Sequence, residues 1–200
     1  MRIVAVILAA GEGRRVGGPK ALLRLGESTF LAHAARLLSR PGVASVIAVL
    51  GHESERVLAE AGLPPSVAVA INAGYREGML GSVQRGIEVA ETMGANALLL
   101  HPVDHPLVAP ATVDRVVAAL EAGAVIAVPS HADRRGHPGG FARASWPALR
   151  AASPARGARA VIADHPQWVV HVDGDPGCVT GIDTPEDYER WVLGSPSAER

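Results

Sequence analysis

Apolar, β-branched runs with almost no polar alternation recur along the chain at residues 3–9, 43–50, 67–71, 97–100 and 125–128. Strands covered on both faces read this way, because neither side of the pleat meets water, and that is the pattern of a parallel sheet under helices. Between the runs the apolar positions move to helical spacing: Phe30, Leu31, Ala34, Leu37 and Leu38; Val57, Leu58 and Ala61; Val83, Ile87 and Ala90; Val113, Val116, Val117 and Leu120. Strand and helix alternate through the first 128 residues, which predicts an α/β fold with right-handed crossovers. Ligands of such sheets bind past the carboxyl ends of the strands, so chemistry is expected after Ala9, Leu50, Ile71, Leu100 and Val128.

Residues 129–140 (PSHADRRGHPGG) break the pattern with polar and turn-forming residues and read as an exposed hairpin or lid. A last helix is signalled by Thr184-Pro185-Glu186-Asp187, in which threonine caps, proline fits the first helical position and Asp187 completes a capping box. One domain is expected over residues 1–193, with 194–200 as a frayed tail. The opening MRIVAVILAA has a basic residue, an apolar run and small residues, as an export signal does. It is too short to span a bilayer and passes directly into Gly11-Glu12-Gly13-Arg14-Arg15, which suits a buried strand feeding a glycine turn.

Composition narrows the function classes. A chain of 200 residues with 48% hydrophobic content buries enough surface to fold without disulfide or structural metal. The single Cys178 fits a reducing compartment, and a cytoplasmic location is expected. A net charge of −1 offers no general field for nucleic acid or anionic membrane, so neither is expected as a partner and any phosphate must be held by a local device. Eight histidines without regular spacing and the lack of a Cys/His cluster argue against zinc. Trp146, Trp168 and Trp191 suit core or interface equally.

Such a device follows the first strand. Glycines at Gly11, Gly13, Gly17 and Gly18 would let backbone amides turn toward phosphate oxygens, with Arg14, Arg15 and Lys20 beside them; the same residues would also make an ordinary glycine turn with solvated charges. The spacing is not that of a Walker loop, since Pro19 stands where the lysine belongs, nor of the dinucleotide fingerprint, since the third glycine falls one residue late. Asp104 lies just past the fourth apolar run, where one carboxylate suits magnesium and equally suits a turn or helix cap. Asp183 is the natural second carboxylate, or a support for the helix start.

The series Leu8-Ala9-Ala10-Gly11, Arg15, Gly17 and Pro19-Lys20-Ala21-Leu22-Leu23 has the form LAAGxxxRxGxPKxLL and resembles the glycosyltransferase-A-like nucleotidyltransferases, the superfamily of MobA-like NTP transferases and sugar-phosphate nucleotidylyltransferases. The resemblance implies a single-domain, Rossmann-like three-layer α/β/α sandwich with a mostly parallel central sheet. It implies that the loop wraps an NTP triphosphate, that Arg15, Lys20 and Asp104 are catalytic, and that Asp104, with Asp183, holds Mg2+. Asp104-His105-Pro106 resembles the family's DxP motif, with His105 where glutamine is common; Gly181-Ile182-Asp183-Thr184-Pro185-Glu186-Asp187 resembles DIDTPED, with glycine replacing the first aspartate.

Three further segments are similar to the MocA-type molybdenum cofactor cytidylyltransferases. Asn72, Glu77-Gly78-Met79, Ser82 and Gly86 match NxxxxEGMxxSxxxG; Gly136-His137-Pro138 with Phe141 matches GHPxxF; Gly157-Ala158-Arg159 resembles the end of GDxGAR, with Ala155 in place of the aspartate. On this basis Leu8, Ala9, Ala10, Gly11, Gly13, Arg15, Lys20, Asn72, Gly78, Met79 and Ser82 are expected to bind nucleotide, and His137 and Arg159 to face the acceptor. The expected reaction moves CMP from CTP to a phosphorylated small molecule, molybdopterin above all, with pyrophosphate released. Guanylyl transfer to another phosphorylated acceptor, or a non-catalytic nucleotide-binding partner of a molybdoenzyme client, stands as the alternative.

Overall fold

The computed structural model describes residues 1–154 and 157–194. The strands are β1 (Ile3–Ala9), β2 (Arg24–Leu25), β3 (Ser28–Thr29), β4 (Val43–Leu50), β5 (Ala68–Ile71), β6 (Ala97–Pro102), β7 (Ile126–His131), β8 (Arg134–Arg135), β9 (Gly139–Ala142) and β10 (Val169–Asp173). The helices are α1 (Phe30–Leu38), α2 (Ser54–Glu60), α3 (Met79–Thr92), α4 (Pro110–Glu121), α5 (Trp146–Ala151), α6 (Gly157–Asp164) and α7 (Pro185–Tyr188). The main sheet runs β10-β7-β9-β6-β1-β4-β5, with β8 beside β7 and β2-β3 a separate ribbon. All main-sheet pairings are parallel except those made by β8 and β9.

Every residue of β1 is buried, because helices cover both faces. Its alternate side chains divide between two cores: Ile3, Ala5, Ile7 and Ala9 pack with α1 and α4, whereas Val4, Val6 and Leu8 pack with α3, α5 and α6. This is the expected three-layer sandwich. With β4 on one side of β1 and β6 on the other, the chain direction of winding reverses at β1, and the crevice opens where the loops after β1 and β6 diverge.

The expectation for residues 129–140 is corrected in part. A hairpin does form, β7 turning through Ala132 and Asp133, both with positive φ, into exposed β8. The stretch does not remain outside, however. Gly136 donates to Pro129 O and His137 to Cys178 O, and β9 then enters the sheet antiparallel between β7 and β6. Gly140 permits this: a Cβ there would stand 2.9 Å from Val116 Cγ1, so α4 packs directly on the β9 backbone. The last helix forms as expected, with the reciprocal Thr184–Asp187 capping box and Pro185 in the first turn. Residues 195–200, most of the expected tail, and Ala155 lie outside the described residues.

His101, on β6, is fully buried, and neither ring nitrogen has a hydrogen-bond partner among the described residues. Burial, reinforced by His105 and His137, pushes its pKa down to about 3. Burial likewise lowers His33. The unfolded chain takes up the His101 proton near pH 6.5 and the folded protein does not until about pH 3, so this contribution to stability is full above pH 6.5 and falls as pH drops toward 3. The His101 contribution alone is expected to cost about 2 kcal/mol between pH 7.5 and pH 5. Urea unfolding at the two pH values checks this, and His101→Leu is expected to reduce the difference by about that amount, with the buried His33 and His137 supplying the remainder.

Candidate active site

The chain leaves β1 through Gly11 and Glu12 into two short 3-10 turns, Arg14–Val16 and Lys20–Leu22. Gly13 starts the first in the left-handed region, with φ 62°, and its carbonyl accepts from both Val16 N and Gly18 N. A Cβ at Gly13 would fall 1.9 Å from Gly18 O, so only glycine lets the loop close on itself. Glu12 binds Arg14 and, at 3.2 Å, Arg76, tying the loop to the turn at Tyr75–Glu77.

The second turn aims Lys20 back over the strand ends. Its Nζ donates to Asp104 Oδ2 at 2.8 Å and to Asp183 Oδ1 at 2.5 Å, while Arg15 reaches the same Asp183 oxygen at 3.4 Å. Asp104 is placed by β6, which continues the β1 ladder through a bond from Val103 N to Leu8 O. Its other oxygen accepts from His105 Nδ1 at 3.0 Å. Burial works to raise the Asp104 carboxyl, but the His105 hydrogen bond and the Lys20 charge outweigh it and hold the group well below the usual carboxylate range. Asp183 is freed for the site because Asp187 takes the helix-start role, accepting from the backbone N–H groups of Asp183 and Thr184.

Two cavities meet at these carboxylates. The first, about 330 Å³, is walled by Ala9, Gly11, Gly13, Arg14, Arg15 and Lys20. The second, about 400 Å³, has an apolar wall that includes Leu80, Val83, Leu100, Val128, Phe141 and Ile162, and is also lined by His137 and Arg159. Leu8, Met79, Pro102, Asp104 and Asp183 line both. Met79 is 58% exposed here, so it is not core filler. Burial, then the charge of His105, drives His137 down to about 3, which leaves a neutral imidazole packed edge-on against His105 at 4.5 Å.

Other expected nucleotide residues stand behind the lining. Ala10 is buried and accepts from His52 N through its carbonyl; Asn72 donates to Ser82 Oγ at 3.0 Å and accepts from Gly74 N; Gly78, with φ 114°, opens α3. These brace the two loops around the cavities. Gly181 and His105 are neighbours, a Cβ at 181 lying 3.4 Å from His105 Cε1, so the glycine leaves the space that the imidazole borders. Trp146 belongs to the core, 1% exposed and bonded to Phe141 O. Apart from Phe141 of the GHPxxF segment, the apolar wall of the second cavity was not foreseen, since its residues share the pattern of the core.

Hard oxygen donors converge here on one cationic centre, the Lys20 ammonium. Two carboxylates of this kind fit a magnesium-like ion, which takes one or two from protein and the rest from water and substrate phosphates. No group of three or more His, Cys, Asp or Glu suited to a metal occurs among the described residues. No helix of the described residues is long and apolar enough to cross a membrane.

Several known proteins are similar to this chain. Nicotine blue oxidoreductase of Paenarthrobacter nicotinovorans is 33% identical over 199 residues, covering 95% of this chain and 96% of that protein. The 2-C-methyl-D-erythritol 4-phosphate cytidylyltransferase of Cereibacter sphaeroides is 36% identical over 136 residues, 64% of this chain and 59% of the relative. Bifunctional IspD/IspF relatives are matched over about a third of their length. Among solved structures, Rv0371c of Mycobacterium tuberculosis superposes with a TM-score of 0.81 at 29% identity, covering 96% of this chain and 99% of that one. A further structure of that protein is a complex with manganese. The MobA-like NTP transferase domain matches residues 5–169. With that domain matched over most of its length and a relative 33% identical along 95% of it, the chain belongs to the MobA-like NTP transferase family.

Proposed function

We propose that the protein is a nucleotidyltransferase that moves a nucleotidyl group, CMP from CTP, onto a phosphorylated acceptor such as molybdopterin, with Mg2+ held by Asp104 and Asp183. The observation that carries this reading is the meeting of two cavities at one pair of carboxylates, one cavity basic and glycine-lined, the other largely apolar. The acceptor's phosphate oxygen would attack the α-phosphorus in line, forming one P–O bond as the bond to pyrophosphate breaks. A phosphate monoester is already anionic at neutral pH, so no protein base is required. Lys20 and Arg15 would stabilise charge on the α-phosphoryl and the leaving pyrophosphate. When bound, magnesium supplies Lewis-acid polarisation of phosphate oxygens. The cytidine preference and the molybdenum cofactor acceptor rest on the MocA-like segments around Asn72–Gly86 and Gly136–Phe141, and a molybdoenzyme client would follow from that acceptor.

The full-length similarity to an enzyme named an oxidoreductase favours a second reading, electron transfer to an aromatic molecule in the apolar cavity. Calorimetry with CTP, GTP, ATP, UTP and a reduced nicotinamide dinucleotide, each with and without Mg2+, separates the two. Magnesium-dependent binding of CTP is the expected outcome. Preference for GTP moves the base assignment, and binding of the dinucleotide alone replaces group transfer with oxidoreduction.

A further inference from the structure

Lys20 has two incompatible duties under the proposed function, on which this inference rests. Its ammonium is bonded to Asp104 Oδ2 at 2.8 Å and Asp183 Oδ1 at 2.5 Å, the oxygens that would ligate a divalent cation, and it is only 15% exposed there. The same ammonium is the phosphate-facing cation of the glycine loop. A dication on the same oxygens would stand within a few ångström of the ammonium, where the two cations repel each other and compete for the same lone pairs, so each weakens the other's hold on the carboxylates. We infer that Lys20 is an internal counter-ion that competes with the divalent metal, and that the metal site becomes strong only when nucleotide phosphates draw Lys20 off the carboxylates.

The fold gives Lys20 the means to exchange. Its backbone is fixed in a short turn, Leu23 N bonding to Lys20 O at 3.1 Å, while the flexible four-carbon stem alone carries the charge across the first cavity. Arg15, 71% exposed and 3.4 Å from Asp183, lies on the solvent side of the same carboxylate and is free to follow the phosphates. The arrangement therefore couples the two ligands: each strengthens the other's binding, as linkage requires. It also keeps the carboxylate pair neutralised in the nucleotide-free protein, where two uncompensated negative charges would repel each other.

The coupling makes an unusual demand on mutants, that removing a cation from the site improves binding of another. Mn2+ binding to nucleotide-free protein, followed by the loss of the free-ion electron paramagnetic resonance signal, is the test. Lys20→Met, which keeps the stem and deletes the charge, is expected to bind Mn2+ at least tenfold more tightly than wild type. Lys20→Arg is expected to stay near wild type, and Asp104→Asn to lose binding. Equal or weaker affinity in Lys20→Met, or equal tightening in both lysine variants, overturns the exchange, with weakened Asp104→Asn still upholding the carboxylate site. Unchanged affinity in all variants overturns the metal site and the exchange together. A wild-type check covers misfolding of the variants: the Lys20 ammonium resonance in 15N-lysine-labelled protein is expected to shift and broaden on Mg2+ saturation, and persistence without change refutes the exchange.

Discussion

Lys20→Ala and Asp104→Ala are each expected to lower turnover by at least ~100-fold, a barrier rise of about 2.7 kcal/mol, the size associated with removing one preorganised electrostatic group. Both side chains are largely enclosed, 15% and 21% exposed, with Lys20 lining the first cavity and Asp104 lining both, so neither charge is screened as a surface charge would be. Steady-state release of pyrophosphate measures the effect, and under the proposed function, in which these groups act on the transferred phosphoryl and not on the base, the loss should fall mainly on kcat. Arg15, 71% exposed, is expected to contribute less. Near-normal turnover in both alanine variants would remove the two residues from the mechanism.

Gly13→Ala is expected to weaken nucleotide binding by ~10- to 100-fold, corresponding to the roughly 1–3 kcal/mol cost of forced overpacking. The new methyl would overlap Gly18 O, which is backbone and cannot swing aside, and the left-handed φ of 62° adds its own penalty. Relief requires opening the loop and losing the bonds from Val16 and Gly18 to the Gly13 carbonyl. Because the loop lies outside both cores, thermal unfolding should move by only a few degrees. Calorimetry beside a melting curve distinguishes a broken loop from a broken fold, and normal affinity would show that the loop does not cradle phosphate.

The parallel half of the fold was legible because burial on both faces leaves an unmistakable apolar run, and β1 and β4 fall at the expected residues. β9 was not legible. Two of its four residues are glycine, and its place in the sheet is dictated by how closely α4 approaches, which no local pattern records. β10 escaped for a different reason: it is an edge strand with His171 and Asp173 exposed, so its apolar content is diluted. Within the site, Lys20 and Asp104 were legible as charges in strand-end loops, and Asp183 as a carboxylate just before the last helix. Leu80, Leu100, Val128 and Ile162 were not, since an apolar residue that walls a cavity and one that fills a core obey the same periodicity; Phe141 was marked only by its place in the GHPxxF segment.

Asp104 and Asp183 are separated by 79 positions in the chain, yet the loops that carry them are joined by a main-chain bond from Ile182 N to Asp104 O at 2.8 Å. Their spacing is thus set by peptide groups and not by the carboxylates themselves. Different side chains could occupy positions 104, 105, 181 and 183 in descendants of this scaffold while the distance between the loops was inherited unchanged. A frame of this kind lets selection try new reactions at an old junction without refolding the protein.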